Sequence, residues 1–230
     1  KGRDRYDDFE NYLIIFKNFK IGQYLFNTLL VTVLKLVFTM PLAIFASYAF
    51  AKLRFRGKNA MYPLIISAMF IPFQVIMIPV YTMLTKLHMI DTYRGLILVT
   101  GTIGIPSSIM LLSSSFRSIP NELLEAAAID GCGYFRKIFH IMIPMGKPAI
   151  AICTIMGFIS SWNDLLPPMV IIKSVNKRLV MPALDGLVSM YNADTPFQLT
   201  GILIAAVPAI AIYLILSKQI IMGISAGSTK

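Results

Sequence analysis

Acidic side chains are scarce in this sequence. The 230 residues carry 11 Asp and Glu against 21 Lys and Arg, and charged residues of both signs make up 14% of the chain. So few charges cannot solvate a soluble domain of this length, and a 57% apolar share identifies a membrane protein. Cysteine is rarer still. Cys132 falls in a polar stretch and Cys153 in an apolar one, which excludes a disulfide framework and leaves both as small fillers. His88 and His140 have no Cys or carboxylate at ligand spacing and no His-Glu-x-x-His, so no metal site is expected. A phosphate loop is also missing. Gly146-Lys147 is followed by Pro148, which blocks the helix start such a loop needs, so nucleotide chemistry would belong to a partner. The net charge of +10 sits beside apolar runs rather than in a basic, aromatic soluble module, so anionic membrane lipid and not nucleic acid is the expected neighbour. Met61, Met69, Met77, Met83 and Met89 share no helical face and read as packing residues.

What is present is a series of apolar runs long enough to cross a bilayer. The expectation is an all-α, polytopic transmembrane helix bundle forming one domain over residues 1–230, with five spans near 24–51, 61–84, 95–116, 148–170 and 200–217. Pro63, Pro72 and Pro79 interrupt the second span, which should therefore be bent and packed inside a bundle. Gly101, Gly104, Ser107 and Ser108 in the third allow close helix approach. Residues 1–20 mix charges with aromatic rings and suit an external interfacial segment. Residues 173–198 read as a polar connection and 223–230 as a short, flexible tail. Lys52, Arg54, Arg56 and Lys58 crowd one short connection, which assigns that end to the cytoplasm. Alternation then puts the 117–147 loop and the tail inside, and 173–198 outside.

The 121–144 stretch is the long polar passage of an otherwise oily chain. Pro120, Glu122 and Glu125 suit the start of a helix and Gly131 its end. A second short helix follows, with Phe135, Ile138, Phe139 and Met142 on one stripe facing away from Arg136, Lys137 and His140, closed by Pro144. This helix-turn-helix looks built to dock. Two charges fall within spans. Burying Lys35 unpaired would cost at least about 2.5 kcal/mol, and snorkelling toward the outer interface is expected over a functional charge. Asp164, beside Trp162 and Asn163, is either part of a solute site with a stacking face and an amide, or a hydrated cap near the interface.

Glu125-Ala126-Ala127, three residues, Gly131, nine residues, then Ile141-Met142-Ile143-Pro144 resembles the cytoplasmic loop signature of permease subunits of binding-protein-dependent ABC importers, with Ile143 where Leu is usual. Ile119-Pro120-Asn121-Glu122-Leu123, Ala128-Ile129-Asp130-Gly131, Trp162-Asn163, Arg54-Phe55-Arg56-Gly57-Lys58 and the 223–230 tail are similar to the carbohydrate branch, in particular its maltose-permease-like second membrane subunit. Asp164 stands where Glu is common. The resemblance implies a non-catalytic permease of a bacterial-type cytoplasmic membrane that moves a sugar or oligosaccharide by alternating access, and one more helix ahead of these spans, about six in the parent protein. It implies a second permease subunit in a heterodimer, two ATPase subunits and an external solute-binding protein. No cofactor is expected in this chain, ATP and Mg being bound by the ATPase partners. ATPase coupling would fall to Glu125, Ala126, Ala127, Asp130, Gly131 and Pro144, with Trp162, Asn163 and Asp164 on the substrate path. The alternatives are a permease for a non-sugar solute and, more remotely, a membrane enzyme acting on lipid-linked sugars, for which the external connection offers only Asp185 and Asp194.

Overall fold

The computed structural model describes residues 8–190 and 195–227. They form twelve α-helices with short 3₁₀ and π turns. A short helix, α1 (Asp8–Asn18), leads into the 32-residue α2 (Ile21–Lys52), then the broken pair α3 (Lys58–Ser67) and α4 (Phe73–Lys86), and α5 (Tyr93–Ser118). The docking stretch supplies α6 (Asn121–Ile129), α7 (Tyr134–Lys137) and α8 (Ile143–Met145). The chain ends with α9 (Lys147–Trp162), α10 (Leu166–Ile171), α11 (Val180–Met190) and α12 (Thr195–Gly227). Three helices are long and apolar enough to cross a membrane, or up to five spans if each bent pair is one. This is a multi-pass helix bundle.

Helix α2 is its axis. It packs along α5 and also meets α9, α11 and α1. Thr28, Thr32, Lys35 and Thr39 recur at intervals of four, three and four residues, so they lie on one helical face, and all four are buried. The threonines on this face are hydrogen-bonded. Thr28 Oγ1 donates to Tyr24 O at 2.7 Å and accepts the Val180 N–H at 2.8 Å, fixing the start of α11. Thr32 Oγ1 donates to Ser161 Oγ at 3.2 Å on α9, and Thr39 Oγ1 to Gly101 O at 3.3 Å on α5. Gly101 must stay small for this contact, because a Cβ there would stand 2.7 Å from the Phe38 ring.

Several expectations need correction. The second span is bent, by 97° between Lys58–Phe70 and Phe73–Lys86, with Pro72 just before α4. It is not packed inside this chain's bundle: α3 has no buried residue and α4 only Leu84, while Leu64, Phe70, Val75 and Ile78 are exposed. The fourth span does not run to 170. Its helix stops at Trp162, because Asn163 and Asp164 turn the backbone before Pro167 and Pro168 restart it as α10. The 173–198 segment is not merely a polar connection, since it contains α11. Val180, Ala183, Leu184 and Leu187, at helical spacing, are all buried there. The chain is also helical through Gly227, so the flexible tail expected from residue 223 is corrected at least that far; residues 228–230, 1–7 and Asp194 lie outside the described residues.

Side-chain bonds sort the connections into two ends. At one, Lys52 Nζ reaches Ile119 O at 2.5 Å and Asn121 Oδ1 at 2.8 Å, so the basic connection and the docking stretch are together. At the other, Asp91, in the left-handed region at φ 60°, accepts the Ser174 hydroxyl, the Ser174 N–H at 2.9 Å, the Lys173 N–H at 3.0 Å and Lys177 Nζ at 3.2 Å. The Ser174 hydroxyl, then its N–H, then Lys173 and Lys177, hold the Asp91 carboxyl well below the usual carboxylate range. A carboxyl depressed in the folded state adds stability above its unfolded pKa of about 3.9, and that stability is lost as pH falls through the folded value. In thermal unfolding in detergent, Asp91→Asn should lower the Tm at pH 7, and the deficit against the parent should shrink as the pH is taken below about 4. A constant deficit down to pH 2 would contradict this account of the latch.

Candidate functional site

The docking stretch is held at both of its ends. Lys52, the last residue of α2, donates to the carbonyls that terminate α5 and to the Asn121 side chain that opens α6. Beneath the stretch, Tyr48, Phe116, Ile119, Leu124, Ile138 and Met142 form one buried cluster. α6 therefore has two faces. Leu124 and Ala127 are buried against the bundle, while Glu125, Ala126, Ala128 and Asp130 are exposed, with Ile129 88% exposed between them. Of the three alanines, Ala127 makes the close approach inward, and Ala126 and Ala128 present a small outward surface.

The turn after α6 is a Schellman motif. The Cys132 N–H donates to Ala127 O at 2.8 Å and the Gly131 N–H to Ala128 O at 3.1 Å, with Gly131 at φ 75°. Nothing lies within 4 Å of where a Gly131 Cβ would stand, so the demand for glycine there is one of backbone conformation, not space. The aromatic stripe of the second arm divides. Ile138 and Met142 are buried, whereas Phe135 and Phe139 remain exposed while meeting the Phe45 ring edge-on at 5.9 and 6.2 Å. Pro144 does not close this arm. Ile138–Met142 is a π turn, with the Ile143 N–H donating to Ile138 O, and its wider ladder lets Pro144 sit inside α8 despite lacking a donor. The chain turns instead at Gly146, by 79° into α9. A Cβ at Gly146 would stand 2.4 Å from the Phe116 ring and 2.8 Å from Met142 O. In the sequence Gly146 registers only as part of a failed phosphate loop, and its signal is the Gly just ahead of Lys147-Pro148.

A second concave feature is open on one side, with Gln74, Ile103, Ser107 and Ser160 exposed along it. It is a cavity of about 650 Å³ between α2, α4, α5 and the α9–α10 break, lined by Lys35, Gln74, Thr100, Ser107, Ser160 and Asp164 among apolar residues. The three neighbours Trp162, Asn163 and Asp164 diverge. Asp164 lines this cavity. Trp162 is 2% exposed, stacks on Phe158 at 5.4 Å and donates its indole N–H to Ala205 O at 3.0 Å. Asn163 donates back to Ile159 O at 2.9 Å and, like Trp162, borders a different cavity beside α11 and α12. Lys35 does not snorkel to the outer interface. Its ammonium sits in mid-helix, about 21 Å along α2 from Ile21, beyond the reach of its own stem, and it is buried to 7% exposure. The polar row on α2 was the signal for it. Cys132 and Cys153 are free thiols, and among the described residues no three His, Cys, Asp or Glu side chains converge to hold a metal.

Residues 39–222 match the family model described as binding-protein-dependent transport system inner membrane component. The chain is 30% identical to the arabinooligosaccharides transport system permease protein AraQ of Bacillus subtilis, over 96% of this chain and 79% of that protein. It is 29% identical to the diacetylchitobiose uptake system permease protein NgcG of Streptomyces coelicolor, over 96% and 74%. Among solved structures, it is similar to a chain of a bacterial ABC transporter involved in the import of the acidic polysaccharide alginate, with a TM-score of 0.76 at 25% identity over 92% of this chain and 79% of that one.

The loop's anchorage is directly testable. Lys52→Met removes the donor that joins α5 to α6, and amide hydrogen exchange across residues 117–131 should accelerate by about tenfold, the equivalent of one charged hydrogen bond. Unchanged exchange in that segment would mean that the buried cluster alone holds it.

Proposed function

Because the chain belongs to the family of binding-protein-dependent transport system inner membrane components, we propose that it is the membrane-spanning permease subunit of an ATP-driven importer that carries a sugar or oligosaccharide into the cytoplasm. The observation that carries this reading is the match to an arabinooligosaccharide permease over 96% of the chain. The second relative, named for diacetylchitobiose, supports the same substrate class. The chain itself is a transport subunit and not an enzyme, as its relatives are permease subunits. In this reading ATP and Mg are bound by two partner ATPase subunits, a second permease completes the solute path, and an external solute-binding protein delivers the cargo. The family description names binding-protein dependence, which supports the last of these. The same description, which names an inner membrane component, supports residence in a bacterial cytoplasmic membrane.

The exposed outer face of α6 is the surface offered to an ATPase subunit: Glu125, Ala126 and Asp130 beside the protruding Ile129, with Gly131 fixing the turn and Pro144 in the arm behind it. Ala127 anchors this face to the bundle from within. The clamp at Lys52 and the buried cluster below make the loop stiff, as a lever must be if closure of the ATPases is to reach the spans. Asp164 lines the path that opens to alternate sides, with Trp162 and Asn163 supporting the break that positions it. The exposed apolar faces of α3 and α4 suit the second permease. Nucleotide then biases an equilibrium between inward-open and outward-open bundles.

Reconstituted in liposomes with its ATPases, second permease and binding protein, the chain should give sugar-stimulated ATP hydrolysis and sugar uptake. Absence of both across a panel of mono- and oligosaccharides, with uptake of another solute class, would overturn the carbohydrate assignment. Gly131→Val forces a β-branched residue into a left-handed turn at a cost of about 1–2 kcal/mol, and should reduce coupled uptake about tenfold. Glu125→Arg and Asp130→Arg, assayed separately for ATPase co-purification, identify which carboxylate faces the ATPase groove. Full co-purification and full uptake in all three variants would remove the loop from the coupling role.

A further inference from the structure

We propose that Lys35 and Asp164 form a two-charge solute subsite in this subunit, an ammonium and a carboxylate that bracket a neutral polyhydroxylated solute within the 650 Å³ cavity. The inference rests on the importer reading and deepens it by naming the contact residues and the charge class of the cargo. Four observations carry it. First, in the polar row of α2 the threonine hydroxyls are engaged within the protein, whereas Lys35 Nζ makes no hydrogen bond with the described residues. Second, Lys35 and Asp164 line one cavity close enough to feel each other's charge, yet their charged atoms are more than 4 Å apart and make no contact ion pair. Third, the cavity falls within the roughly 300–1,000 Å³ typical of small-molecule sites. Fourth, the remaining polar lining is neutral: Thr100 and Ser107 donate to Leu96 O and Gly104 O and leave their oxygens as acceptors, beside the Gln74 amide and the Ser160 hydroxyl.

The chemistry of this set selects its ligand. A sugar hydroxyl is donor and acceptor at once: it can donate to the Asp164 carboxylate while a neighbouring hydroxyl accepts from the Lys35 ammonium. A neutral polyol thus satisfies both charges, and neither needs a partner from the protein. An anionic saccharide would gain at Lys35 and be repelled at Asp164, and a cation would meet the reverse. An ammonium buried in mid-span costs energy that intrinsic packing does not return, and such residues by default mark a solute pathway. The gap between the charges is where a ring would lie.

The test uses the complete importer in liposomes, with radiolabelled maltotriose, arabinotriose and diacetylchitobiose as neutral probes and a mannuronate trimer as the acidic one. The parent should import at least one neutral probe and discriminate against the mannuronate trimer. Lys35→Met and Asp164→Asn should each raise the uptake KM for that neutral probe at least tenfold in complexes that still co-purify with all partners. Lys35→Arg, which keeps the positive charge, should hold KM to within about threefold of the parent; a residue serving only to fill space would instead be replaced equally well by Met. A KM within twofold of the parent for either Lys35→Met or Asp164→Asn would overturn the subsite while leaving sugar import intact. So would preferential import of the mannuronate trimer by the parent. Should Lys35→Met fail to assemble, the near-isosteric Asp164→Asn and the Arg variant decide by the same criteria. Uptake of none of the saccharides, with import of another solute class, would bring down the carbohydrate reading and the subsite together.

Discussion

A lipid bilayer offers no water to a buried polar group, and that constraint organises this chain from α2 outward. Thr32 and Thr39 donate across to α9 and α5, and Thr28, which donates to Tyr24 O in its own helix, accepts the Val180 N–H, so the row ties α2 to α9, α5 and α11. Between lipid-like surfaces there is little hydrophobic drive to hold helices together, so polar ties and close approach at small residues specify which faces meet. The same rule explains Trp162. Its indole N–H is directed to Ala205 O on α12, which locks that helix to α9 through a side chain whose ring is stacked inside the core.

Ends of helices face the complementary problem, since their last carbonyls lack partners. Here the solutions double as the architecture of the loop. Lys52 serves carbonyls at the end of α5, the Schellman turn at Gly131 serves those of α6, and the π turn at Ile138–Met142 carries the ladder past Pro144. Each of these is a local satisfaction of backbone groups. Together they hold an exposed face, from Glu125 to Asp130, on a base that includes the fully buried Phe116 and Met142.

Runs of apolar residues made most helices legible in the sequence, because composition alone decides membership of a span. The turn at Gly131 was equally legible, since few residues but glycine suit a left-handed C′ position. What escaped depended on neighbours distant in sequence. Lys35 reads as a snorkelling residue because its burial follows from α5 and α9 closing around α2; the row Thr28, Thr32, Lys35 and Thr39 marks a polar face but not what covers it. The helix α11 was hidden by polar punctuation around a short run whose inward residues, Val180, Ala183, Leu184 and Leu187, reveal their period only once a core is there to receive them. Trp162 and Asp164 stand two residues apart and were read as one site. The helix break between them sends one into the core and the other to a cavity.

α2 is also the element that the loop and the cavity share. Lys52 and Phe45 connect its lower half to both arms of the docking stretch, and Lys35 stands about 25 Å above Lys52 on the same helix. Pro41 falls between Lys35 and Phe45 and removes a hydrogen bond from the α2 ladder there, so the two halves of the helix meet at a point where it can bend. Asp164, by contrast, sits in the break after α9, whose own base turns at Gly146. The two charges are therefore carried on different helices, α2 and the end of α9, whose lower ends both reach the same loop. In the proposed importer, a displacement of the loop would reach both charges through these two helices, and with them the walls of the cavity.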